Sequence, residues 1–176
     1  MSTAASIRRA VSSPRLHWLL GALLLSTCSL AAAQEPIPDA DDLQRLGGKI
    51  RNDGTPLVLV IWAHDCPYCK VLDEQILRPL QASGELAGRA LLRKIDLDGA
   101  GLRDFDGQRI DGWSFADRYR AQLTPTVLFL DADGNELAER MVGINTVDFY
   151  PAYLDRAIDA AGKRLRAGDP PFSLRP

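Results

Sequence analysis

Cysteine and histidine are scarce in this chain, with three cysteines and two histidines among 176 residues. So few cysteines exclude a scaffold stapled by several widely spaced disulfides. They also leave few soft ligands for a closed four-ligand zinc site. Positive charge is not in excess: the formal net charge of −2 gives no basic footprint for nucleic acid. There is no internal repeat and no low-complexity block. The apolar run Trp18–Ala33 is only 16 residues long and contains Ser26, Thr27 and Ser29. It falls short of the roughly 20 apolar residues that a membrane-spanning helix needs.

What remains suits one soluble globular domain, with 46% hydrophobic and 25% charged residues. The leader is set apart by its own pattern. Arg8, Arg9 and Arg15 form a basic region without an acid, the apolar run follows, and Ala31-Ala32-Ala33 precedes Gln34. This pattern predicts a cleavable secretory signal over residues 1–33. The rival is an uncleaved anchor. A lipoprotein signal at Cys28 is disfavoured by the bulk of Thr27, and twin-arginine export by Ile7 before the arginine pair. Cleavage removes Cys28, leaving Cys66 and Cys69 as the only cysteines in an exported, oxidising compartment.

Downstream, Gln34–Ala40 reads as an exposed lead-in and Asp41–Asn52 as a helix with Leu43, Leu46 and Ile50 on one face, broken by Asp53-Gly54. Residues 34–55 thus form a lead-in and helix ahead of a domain over residues 56–167. Leu57–Trp62 (LVLVIW) is a strand buried on both faces. A helix from about Cys66 follows, which Pro79 should kink or end. Ala90–Leu97 is a second strand, Gly99–Ser114 a loop and Phe115–Ala121 a short helix. Thr126–Leu130 and Leu137–Val142 form an antiparallel hairpin around the DADGNE turn. That turn imitates the start of a calcium loop but lacks its distal glutamate and flanking helices. A last helix starts near Thr146 as N-cap, with Tyr150, Leu154, Ile158 and Ala161 on one face, and the proline-rich tail 168–176 is loosely ordered. A βαβ unit followed by a hairpin and a terminal helix implies an α/β fold, a mixed central sheet with helices on both faces.

The chemistry concentrates in WAHDCPYCKVL, Trp62–Leu72. With Cys66 at a helix start, Cys69 lies one turn on, close enough for a short disulfide. The free N–H groups of the first turn and the helix dipole favour a Cys66 thiolate. Pro67 gives up an N–H that has no helical partner at that position. Cys66 is then the exposed nucleophile, and Cys69, set deeper, the resolving thiol. Asp65 opposes a thiolate, whereas Lys70 and a protonated His64 favour one. A structural staple is the plain alternative. Metal binding or delivery by His64, Cys66 and Cys69 is the sharper one, although a fourth ligand is missing.

The pattern resembles the thioredoxin superfamily on several segments. Trp62 stands where an aromatic precedes the motif, Thr124-Pro125-Thr126 where the family carries its cis-proline, and Gly134 and Val142-Gly143 fit the hairpin and the approach to the last helix. Lys94 occupies the second-strand position of a lysine behind the site. The likeness spans Leu57–Arg166, and the DFDGQ stretch from Asp104 is similar to exported bacterial thioredoxin-like proteins, including those associated with sulfur oxidation. The resemblance implies a thioredoxin-like fold and a periplasmic thiol–disulfide oxidoreductase with reductase direction. It implies protein thiol or disulfide substrates, a membrane electron donor, no cofactor and a monomer. Thr124, Pro125, Trp62, Pro67 and Tyr68 would form the substrate platform, with His64 and Lys94 as modulators. Two departures stand out. Val60 occupies the position, six residues before Cys66, where thioredoxins bury an aspartate, and Pro67-Tyr68 is glutaredoxin-like. The intervals Leu97–Phe115 and Gln34–Gly54 are too short for the added domains of periplasmic disulfide oxidases and isomerases.

Overall fold

The computed structural model describes residues 35–172; the expected leader and the last four positions lie outside them. Helix α1 spans Leu43–Asp53, capped by Asp42, whose carboxylate accepts the Arg45 N–H at 2.8 Å. It stops at Gly54, whose left-handed backbone lets its N–H reach the Ile50 carbonyl at 2.9 Å. Leu43, Leu46 and Ile50 are buried, as the helical spacing requires. Strand β1, Leu57–Trp62, then runs through the middle of the molecule.

The helical rod after β1 has three parts: α2 (Pro67–Leu72), a single π turn (Asp73–Leu77) and α3 (Arg78–Ser83). Pro79 therefore does not end it. Proline has no N–H to donate and its ring crowds the carbonyl four residues back, so the ladder widens to the Arg78 N–H…Asp73 carbonyl bond and the rod continues.

Strand β2 (Leu91–Asp96) pairs parallel with β1, placing Lys94 beside Val60. Strands β3 (Leu102–Arg103) and β4 (Arg109–Ile110) form a small hairpin inside the segment expected to be a loop. Two-residue strands carry no readable alternation, and the hairpin is held by buried Asp104, ion-paired to Arg118. Helix α4 (Gly112–Arg118) begins three residues before the expected Phe115 because Asp111 caps it through the Ser114 N–H.

Strand β5 (Thr126–Leu130) runs antiparallel to β1, and β6 (Met141–Val142) antiparallel to β5. The expected strand at Leu137–Val142 is thus reduced to two residues and a bridge at Glu136, since the chain between them bends and Arg140 turns back to Glu136. A 3₁₀ turn, Val147–Phe149, leads into α5 (Tyr150–Ala167), and the Thr146 side chain makes no capping bond; its carbonyl takes the Tyr150 N–H instead.

The main sheet has the order β2-β1-β5-β6. One face packs Leu72, Ile76, Tyr150, Leu154 and Ile158 from the rod and α5; the other packs Leu43, Ile50 and Phe115 from α1 and α4. The lead-in is not a bare approach. Ala40 N–H and Lys94 N–H exchange bonds with the Lys94 and Pro38 carbonyls along the free edge of β2, and Ile37 is buried. The tail is also docked as far as Phe172, whose N–H reaches the Glu136 carbonyl while Arg164 lies 5.5 Å over its ring.

Candidate active site

At the end of β1 the chain turns through Ala63–Asp65, and Cys66 becomes the N-cap of α2. Its backbone is extended and its Sγ accepts the Cys69 N–H at 3.1 Å. A sulfur in this position takes the place of a capping oxygen, and the same N–H favours negative charge on it when reduced. Cys66 and Cys69 are joined by a disulfide with a Cα–Cα distance of 5.2 Å. Cys66 retains 9% exposure and Cys69 2%, so Cys66 is the more open sulfur but is itself largely covered, contrary to the expected exposure.

The cover comes from a distant segment. The Thr124–Pro125 peptide is cis, and the Thr124 carbonyl oxygen lies 3.5 Å from Cys66 Sγ. The Pro125 carbonyl accepts the Gly143 N–H at 2.8 Å, tying this segment to the end of β6. Tyr68, between the cysteines, and Leu123, next to Thr124, are both exposed. Pro67 occupies the first turn of α2, and His64, Asp65 and Lys70 are exposed. Among the described residues no three His, Cys, Asp or Glu side chains are grouped to hold a metal.

Behind the disulfide is a small cavity that the sequence pattern did not reveal. Val60 and Trp62 from β1, Lys94 from β2, Cys69, Asp73 and Leu77 from the rod, and Ile37 from the lead-in line it. Lys94 Nζ sits 4.5 Å over the Trp62 ring. Asp73 is buried and paired with Arg78, whose Nη2 is 2.5 Å from its carboxylate. That pairing, led by the hydrogen bond, raises the Arg78 pKa. The one sequence signal for Asp73 was its position four residues after Cys69, on the same side of the helix.

A thioredoxin-like fold with a CxxC disulfide at a helix start defines a thiol–disulfide oxidoreductase. The chain belongs to the thioredoxin-like domain family, whose family model matches residues 48–158. No curated protein matches it. Among solved structures it is similar to Fasciola hepatica thioredoxin, at 20% identity over 70% of this chain and 97% of that one, with a TM-score of 0.46. Mitochondrial thioredoxin 3 from Saccharomyces cerevisiae gives 20% identity, 70% and 93% coverage, and a TM-score of 0.45. Likenesses this distant add nothing to the family match.

Proposed function

We propose that the protein is a periplasmic, monomeric reductase of protein disulfides, exported by its leader and recharged by a dithiol donor in the membrane. The observation that carries the site assignment is the Cys66 sulfur, which accepts the Cys69 N–H and faces the Thr124 carbonyl. In the reduced protein the Cys66 thiolate attacks one sulfur of the substrate disulfide. That bond breaks, the other substrate sulfur leaves as a thiolate, and a mixed disulfide forms. Cys69 then attacks Cys66, forming the Cys66–Cys69 disulfide and releasing the second substrate thiol. Two electrons pass to the substrate, and the membrane dithiol returns them. Thr124 and Pro125 align the substrate strand, with Trp62, Pro67 and Tyr68 completing the platform and His64 and Lys94 modulating the thiols.

The test is reduction of a disulfide-bonded protein such as insulin, by wild type, Cys66→Ser and Cys69→Ala. Wild type should turn over, Cys66→Ser should be inactive, and Cys69→Ala should trap mixed disulfides with periplasmic proteins in the cell. A reduction potential near that of thioredoxin, about −270 mV, supports the reductase direction, and one near −120 mV reverses it. Fractionation of the full chain tests export: the product should be periplasmic and shortened by the 33-residue leader. Wild type without exchange activity overturns the reading.

A further inference from the structure

Resolution of the mixed disulfide requires Cys69 to lose a proton in a place shielded from bulk water, for Cys69 is only 2% exposed. Position 60, facing it from β1, is a valine and cannot accept a proton. The space behind Cys69 nevertheless holds a carboxylate. Asp73 is 7% exposed, lies one helical turn beyond Cys69 in the same rod, and lines the same cavity as Cys69 and Val60. Burying a carboxylate costs free energy unless its charge is compensated, and Arg78 compensates this one from the solvent side through two contacts, at 2.8 and 2.5 Å.

The cavity has a volume of about 10 Å³, close to that of one water-sized sphere. Its walls are mostly apolar, but charged and polar side chains stand among them. Trp62, whose buried Nε1–H has no protein partner, lines it together with Lys94 and Asp73.

We propose that Asp73 is the proton acceptor for Cys69, acting across this cavity in place of an acid at position 60. The inference rests on the reductase reading above. In the resolving step the Cys69 thiol proton passes to the Asp73 carboxylate, directly or through one water, which the cavity is just large enough to hold. The resulting thiolate attacks Cys66 Sγ, the Cys66–Cys69 bond forms, and the bond from Cys66 to the substrate sulfur breaks. The substrate leaves as a thiolate, so the substrate disulfide is reduced and the dithiol oxidised. When a dithiol donor reopens the Cys66–Cys69 bond, Asp73 returns the proton to Cys69. The other charged groups around this path are Lys94 from β2, which Asp39 of the lead-in approaches at 3.9 Å, and Arg78 from α3.

The test separates the two cysteines with a chromogenic aromatic disulfide in a stopped-flow mixer. The first thiolate released reports Cys66 attack, and the second reports Cys69. In Asp73→Asn the second phase should slow about tenfold at pH 7 while the first stays within about twofold, a modest share of what proton transfer can contribute. The deficit should close above about pH 8.5, where a free thiol ionises without help. Asp73→Glu should recover part of the rate, and Val60→Asp in the Asp73→Asn background should restore it.

A merely electrostatic role gives the opposite sign. Removing a negative charge beside Cys69 favours its thiolate, and the second phase becomes faster at pH 7. A second phase that is unchanged or faster overturns the proposal. If Asp73→Asn does not fold because Arg78 is left unpaired, Asp73→Asn with Arg78→Met removes both charges and is read in the same way. Failure of the thiol–disulfide exchange reading looks different, because wild type then releases no first thiolate, and the direction of exchange is read separately from the reduction potential.

Discussion

Two buried side-chain polar atoms among the described residues have no hydrogen-bond partner, Trp62 Nε1 and the Tyr150 hydroxyl. The first lines the cavity behind Cys69; the second lies at the start of α5, facing the core. Burial alone drives the Tyr150 pKa well above its ordinary value of 10.0. Tyr119 moves the same way, through burial first and the neighbouring Asp104 charge second. A folded-state pKa above the unfolded one means the neutral form is favoured in the fold. The contribution is complete below about pH 10 and is lost as pH rises beyond it. Tyr150→Phe should therefore stabilise the protein by about 1 kcal/mol at pH 7, by removing an unsatisfied hydroxyl. It should also flatten the alkaline fall in stability, with Tyr119 supplying what remains. Urea melts at pH 7 and 10.5 check both effects. Cys66 and Cys69 were legible as a pair because a helix start and a three-residue spacing are local. Asp73 was not, because its burial depends on β1, β2 and the lead-in.

At the scale of elements, long periodic segments were readable and short ones were not. The apolar spacing of α1, the continuous apolar runs of β1 and β5 and the buried stripe of α5 all carried their pattern over five or more residues. Strands β3, β4 and β6 have two residues each, too few for any alternation to register. One close approach shows how an element is placed. A Cβ on Gly47 would lie 2.4 Å from the Ala132 carbonyl oxygen, so α1 reaches the loop after β5 only because that position is bare. Gly47→Ala should cost about 1–3 kcal/mol in a urea melt although alanine is the better helix former, since backbone rather than a flexible side chain must yield. Gly48, with open space around it, is the control: Gly48→Ala should be neutral or stabilising.

Across the whole molecule, the lead-in binds the site to the fold. Ile37 is 2% exposed, packs in the core with Val58, Leu77 and Leu92, and also walls the cavity behind Cys69. Ile37→Ala should destabilise by about 2–4 kcal/mol, measured by denaturant melting. It should also open the cavity to water, so that the rate of Cys69 attack becomes less dependent on Asp73.

The sequence by itself determined the dithiol, its place at a helix start, the strands on either side of it and the absence of an acid at position 60. Each of these rests on neighbours a few residues apart. The resemblance already set Thr124-Pro125 and Lys94 beside the dithiol, whereas tertiary structure alone decided that an exposed-looking lead-in becomes an edge of the sheet and that Asp73 lies behind Cys69 with Trp62 and Lys94. Those contacts join segments far apart in the chain, and local periodicity carries no information about which distant side chains will line one cavity.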